Sequence, residues 1–116
     1  METSCGILEN IEEADMSITV EIKGTIASIL LSGGIDYATQ DEFKTANNQV
    51  LSASGVKEIK VDFAKADFLD SSGIRALLIL KKQADGMGKT LILLHCDTKL
   101  RDIFEIGGFD QVFTFR

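Results

Sequence analysis

Leu69-Asp70-Ser71-Ser72-Gly73-Ile74-Arg75 is the stretch around which the chain arranges itself. Upstream, Ile59, Val61 and Phe63 alternate with polar residues, as one face of a half-buried strand does. Downstream, Ile74 to Leu80 is apolar nearly all round, and the pattern predicts a helix running to about Asp85. Between the two, Asp70 or Ser71 is suited to cap the helix. A short side-chain oxygen there accepts from the free N–H groups of the first turn. The Ser71 and Ser72 hydroxyls then lie at the positive end of the helix dipole, where negative charge is favoured.

Working outward, Ser17 to Lys23 alternates strictly and predicts a strand, followed by a Gly24-Thr25 turn and a second, more apolar strand over Ile26 to Leu31. These two form a hairpin. Ser32 to Thr39 is expected to be a loop, with Gly33 and Gly34 supplying the sharp exit. Thr39 with Glu42 fits a capping box opening a helix to about Ala53. Its inner side is Phe43, Ala46, Val50 and Leu51, and its outer side Lys44, Asn47 and Asn48. Ala64 to Leu69 is expected to connect the third strand to the central turn. Gly86 and Gly88 bracket a turn into a fourth strand, Thr90 to Leu94. Thr98 is expected to cap a short helix, Lys99 to Ile106, ended by Gly107-Gly108, with a last strand over Val112 to Phe115. A hairpin followed by alternating helices and strands predicts an α/β protein, a mixed β-sheet with helices packed on it. Residues 1–16 read as a loose acidic arm with a short strand near Ile7-Leu8, and residues 17–116 as one domain.

The 116 residues suffice for one core, and 45% of them are apolar. No apolar run approaches the ~20 residues of a bilayer span, and the N-terminus has no signal-peptide pattern, so a cytoplasmic protein without membrane insertion is expected. The net charge of −6 argues against direct nucleic-acid binding, which needs a basic face, and leaves room for a basic protein partner. Cys5 and Cys96 are expected to be reduced thiols.

Catalytic patterns do not assemble. Gly86-Met87-Gly88-Lys89-Thr90 resembles the end of a phosphate-binding loop, but Gln83 stands where its first glycine belongs, and helix precedes strand instead of following it. His95 is the only histidine, which excludes a multi-histidine metal site. The hydrolase elbow G-x-S-x-G does not match Leu69-Asp70-Ser71-Ser72-Gly73. No catalytic residue, metal or cofactor is therefore assigned.

Three pieces in register carry a family resemblance: Leu31-Ser32-Gly33-Gly34-Ile35-Asp36 leading to Thr39, Phe68-Leu69-Asp70-Ser71-Ser72-Gly73-Ile74, and Leu100 to Phe113. From about Ser17 to Arg116 the chain resembles a STAS domain, and within that family the stand-alone bacterial anti-sigma factor antagonists. The resemblance implies a partner-switching protein rather than an enzyme. Such a protein binds an anti-sigma factor that is also a serine kinase, is released when phosphorylated, and is reset by a serine phosphatase. It implies Ser71 as the phosphorylated residue. It also places Asp36, Asp70, Ser71, Ser72, Gly73 and Arg75 at the partner-binding surface. Arg75 departs from the small residue the family often has there. Four residues from Ser71 on the same helical face, it is open to three roles: pairing with a phosphate, contacting the partner, or standing solvated. Many relatives also have a further C-terminal helix; here either that helix is missing or residues 1–16 are expected to occupy its surface. The competing expectations are a STAS subunit of a membrane transport assembly and, behind it, a small enzyme using Ser71. The downstream sigma factor and the oligomeric state are not legible.

Overall fold

The computed structural model describes residues 16–116. The expected strand over Ile7-Leu8, Cys5 and nearly all of the acidic arm lie outside the described residues. The elements are β1 (Met16–Lys23), β2 (Ile26–Ile35), α1 (Gln40–Ser52), β3 (Glu58–Leu69), α2 (Ser71–Gly86), β4 (Thr90–Leu94), α3 (Thr98–Ile106) and β5 (Thr114–Phe115). They form a mixed five-stranded sheet in the order β1-β2-β3-β4-β5 with three helices packed on it. β1 pairs antiparallel with β2 across the Gly24-Thr25 turn, and every other neighbouring pair is parallel.

Alternation sorts the strand side chains between the two faces. Ala27, Ile29 and Leu31 of β2, Ile59, Val61 and Phe63 of β3, and Leu91 and Leu93 of β4 enter one core. Phe43, Ala46 and Val50 of α1, Ile74, Leu77 and Leu80 of α2, and Leu100 and Phe104 of α3 meet them there. Phe104, Phe113 and Phe115 pack edge to face and tie α3 to the end of the chain. The side chains between, including Ser28, Leu30, Lys60 and Asp62, point to the opposite face and are half-buried.

Several elements differ from the pattern in the sequence. β2 continues to Ile35 and β3 to Leu69, where the pattern ended them at Leu31 and Phe63. Their parallel pairing carries on through two irregularities, between Leu30 and Ser32 and between Gly33 and Gly34. Gly33 takes φ +87° there, which a residue with a Cβ adopts only under strain. Half of the expected loop, residues 32–35, is thus bulged strand. β5 is only two residues long. The capping box at Thr39 does not form: its hydroxyl caps nothing in α1, because the preceding loop uses it. α3 is capped by Asp97, which accepts from the Leu100 N–H at 2.9 Å, and Thr98 is the first helical residue. Asn47, expected outside, is buried, and its Oδ1 has no hydrogen-bond partner among the described residues. In α2 the apolar surface is less complete than the pattern implied, since Ile79 is 42% exposed.

Candidate functional site

The ends of β2 and β3 lie side by side, with Ile35 paired to Leu69, and each chain then leaves the sheet. The Asp70 N–H closes the ladder on the Ile35 carbonyl at 3.1 Å. Asp70 itself is extended (φ −97°, ψ −173°), the conformation of a residue just before a helix. Of the two candidate caps, the structure selects Asp70. Its Oδ1 accepts from the Ser72 and Gly73 N–H groups at 2.8 and 3.1 Å, and the Asp70 carbonyl takes the first helical bond from Ile74 at 3.0 Å. Its Oδ2 accepts from the Tyr37 N–H at 3.2 Å, across 33 residues of sequence. One carboxylate thus satisfies two orphan donors of α2 and fastens the loop after β2 beside the helix start.

That loop is held by its own side chains. The Asp36 N–H donates to Thr39 Oγ1 at 2.9 Å, and Asp36 Oδ1 accepts from the Thr39 N–H at 3.0 Å. The Thr39 hydroxyl is also within reach of the Gly34 carbonyl (3.2 Å) and Asp36 Oδ1 (3.1 Å). Asp36, singled out as a partner contact, therefore has one oxygen committed to shaping its loop.

The residues of the central turn divide by direction. Gly73 is buried, and a Cβ there would run into the Leu69 side chain and sit 3.1 Å from the Ile35 carbonyl oxygen, so glycine is what lets α2 start against the strand ends. Ile74 is buried and Ser72 half-buried, whereas Ser71 and Arg75 are exposed. Two aromatic residues that composition did not single out are exposed on the neighbouring segments: Tyr37, 78% exposed, on the loop fastened to Asp70, and Phe68, 45% exposed, near the end of β3. Phe68 faces outward where the bulges interrupt alternation, and its ring lies over Gly34. The exposed residue at the N-terminus of the 16-residue α2 helix is thus a serine.

His95 lies elsewhere in the hydrogen-bond network. At φ +59° after β4, it places Nδ1 2.9 Å from Asp62 Oδ1 on β3. The neighbouring Cys96 thiol is pushed up to about 12 by burial above all, opposed by Arg101 and reinforced by Asp97 and Asp62. A thiol held protonated in this way is a poor nucleophile. Among the described residues no cluster of three metal-ligating side chains occurs, and no helix is long and apolar enough to cross a membrane.

These features define a small α/β module with an exposed helix start at Ser71. The chain belongs to the STAS domain family, whose sequence profile matches residues 17–116. It is 31% identical over 90 residues to a STAS-domain containing protein of Pseudomonas aeruginosa, covering 78% of this chain and 87% of that one. It is 27% identical over 90 residues to a Bordetella bronchiseptica protein named as an anti-sigma factor antagonist, BtrV, covering 72% and 78% of the two chains. The fold is that of solved anti-sigma factor antagonists. One from Mycobacterium paratuberculosis superposes with a TM-score of 0.78 at 21% identity, covering 90% of this chain and 89% of that one. The antagonist SpoIIAA in its unphosphorylated form superposes with a TM-score of 0.68 at 20% identity, covering 86% and 87%. The Bacillus protein has also been solved in a phosphorylated form. A shorter match, 35% identical over 60 residues, covers 52% of this chain and 9% of the human sulfate anion transporter 1.

Proposed function

We propose that this protein is an anti-sigma factor antagonist that works by partner switching. Unphosphorylated, it binds an anti-sigma factor that is also a serine kinase. Phosphorylated on Ser71, it lets that partner go, and a serine phosphatase restores it. It is itself a binding protein of the cytoplasm, not an enzyme. Asp36, Asp70, Ser71, Ser72, Gly73 and Arg75 form or shape the surface that the partner meets.

The observation that carries this reading is the orientation of Ser71. Its hydroxyl is exposed at the start of α2, while Asp70 on one side and Gly73 on the other hold the backbone. The helix dipole favours negative charge at that position, while the Asp70 carboxylate, which already accepts from the Ser72 and Gly73 N–H groups, opposes it. A phosphate would add about −1.5 to −2 charges at the centre of a contact surface. Unpaired charge desolvated at an interface costs several kcal/mol. Each 1.4 kcal/mol is about tenfold in affinity, so the modification releases a partner without unfolding the domain.

Mass spectrometry of the protein isolated from its own cells, wild type beside Ser71→Ala, tests this directly. A phosphorylated fraction mapped to Ser71 and lost in the variant is expected. Phosphate on Ser72 instead would keep the mechanism and move the residue. Protein never phosphorylated under any growth condition would overturn it in favour of the second reading, a STAS subunit of a membrane transport assembly. The match to a sulfate anion transporter favours that alternative. Co-purification with membrane proteins instead of a serine kinase would then be expected.

A further inference from the structure

A phosphate on Ser71 needs a counter-charge, and the donors that ordinarily supply one at a helix start are largely taken. The Ser72 and Gly73 N–H groups donate to Asp70 Oδ1 at 2.8 and 3.1 Å, and the Ile74 N–H donates to the Asp70 carbonyl at 3.0 Å. The loop beside the helix start brings no cation. Its Tyr37 N–H is held by Asp70 Oδ2 at 3.2 Å, and Asp36 Oδ1 accepts from the Thr39 N–H at 3.0 Å. The segments that meet here, residues 36–39 and 66–75, carry three acids (Asp36, Asp67 and Asp70), the phenol of Tyr37 and a single base, Arg75. Asp41 and Glu42, in the first turn of α1, add negative charge just beyond the loop.

Arg75 stands where that charge would be met. Ser71 and Arg75 are both exposed among the described residues and lie four apart in α2. Residues at this spacing lie one above the other on a helix, with Cβ atoms about 5–6 Å apart. Helical side chains lean toward the N-terminus, so a long one covers the turn before its own Cα. Arg75 is therefore placed to reach back over Ser71, not forward over Ile79. An acid followed four residues later by a base is also the favoured order on a helix. The other residues three or four from Arg75 are Ser72, Leu78 and Ile79, so no acid of α2 competes at that spacing. A guanidinium matches phosphate oxygens with two parallel N–H donors, which an ammonium cannot do.

We propose that Arg75 is the counter-ion of phosphorylated Ser71, closing over the phosphate across one helical turn and keeping it doubly charged among the surrounding carboxylates. This rests on the proposed phosphorylation of Ser71 and adds how its charge is maintained. A phosphoserine ordinarily takes its second charge at about pH 6. Nearby carboxylates resist that ionisation and a nearby cation favours it. Without Arg75, more of the phosphorylated protein would carry one charge instead of two near neutral pH, and the modification would repel a partner less.

The test uses the full chain with phosphoserine installed at residue 71 during translation, its phosphorus NMR signal followed against pH in low salt. Arg75→Ala is expected to weaken the second ionisation roughly threefold, raising its midpoint by about half a pH unit, with Arg75→Lys in between. Lys82→Ala removes an exposed cation about 16 Å from Ser71 along α2 and should leave the midpoint in place. Equal midpoints in wild type and Arg75→Ala would overturn the proposal. So would an equal shift on removing Lys82, which would assign the effect to net charge. Because the phosphate is installed and not acquired, these outcomes stand apart from the phosphorylation reading itself, which fails if the cell never modifies Ser71, whatever the titration shows.

Discussion

Replacing Asp70 with alanine removes three hydrogen bonds through one side chain. Two go to the Ser72 and Gly73 N–H groups, at 2.8 and 3.1 Å, and constitute the helix cap. Loss of such a cap costs about 1 kcal/mol. The negative charge at the positive end of α2 contributes about 0.3–1 kcal/mol more. The third bond, 3.2 Å from the Tyr37 N–H, is exposed and is worth roughly 0.5–1 kcal/mol. Together these put Asp70→Ala at about 2–3 kcal/mol, which for a domain of this size lowers Tm by roughly 10 °C. Asp70→Asn retains a good cap and loses mainly the charge, so it should cost less than about 1 kcal/mol. Urea unfolding followed by circular dichroism measures both, with an unchanged slope showing that only stability has moved. An alanine variant within about 0.5 kcal/mol of wild type, or an asparagine variant as weak as alanine, would refute the assignment of Asp70 as a hydrogen-bonding cap.

The other expectations can be checked on the same purified protein. Gly73→Ala should destabilise by about 1–3 kcal/mol, because overpacking against Leu69 and the Ile35 carbonyl outweighs the ~1 kcal/mol that alanine gains as a helix former; a more stable variant would contradict the close approach. Asn47→Leu should stabilise by about 1 kcal/mol in urea unfolding, since it removes a buried, unpartnered Oδ1 and keeps the volume; a loss of that size would show that the amide is satisfied. The Cys96 thiol lies at about 12 in the folded protein against an ordinary 9.0, so folding favours its protonated form. That contribution is complete below pH 9 and is lost as pH rises toward 12; Cys96→Ala should flatten the corresponding fall in stability, and an unchanged pH profile would count against it. Ser71→Asp should leave the urea midpoint nearly unchanged, because attraction to the helix dipole is opposed by the neighbouring Asp70, yet it should abolish co-purification with the kinase; retained binding would overturn the switch.

What could be read from the sequence was local. β1 shows strict alternation, and β4 is a short apolar run between turn signals, so both were legible. The helix start at Asp70 was legible for the same reason, since a cap needs only its own first turn. The ends of β2 and β3 were not. Gly33 and Gly34 look like loop residues, and pairing with Ala66 and Phe68 of β3, and of Gly33 with Met16 of β1, keeps them in the sheet. Thr39 and Glu42 had the spacing of a capping box, but the Thr39 hydroxyl met a stronger local demand from Asp36 and Gly34. Asn47 shares one helical stripe with Phe43 and Val50, so its spacing points inward while its polarity points outward. The bond from Tyr37 to Asp70 and the exposure of Phe68 depend on two chain ends meeting, which no window of sequence contains.

The central turn separates the residues that hold the fold from the one that is left exposed. Asp70 and Gly73 carry the structural demands, one by capping α2 and the other by leaving room for Leu69 and Ile35. Ser71 lies between them and points outward, so the fold does not depend on what its hydroxyl carries. A regulatory hydroxyl needs this placement, because a group that supported the core would couple its modification to unfolding. Under the proposed switch, the same separation would let the modification act without a conformational change within the domain. On the proposed reading, a charge on Ser71 would be favoured by the helix dipole and opposed by Asp70, leaving the fold little changed, while a docked partner would have to desolvate it. Affinity for that partner would then change by orders of magnitude while the STAS domain itself remained as it was.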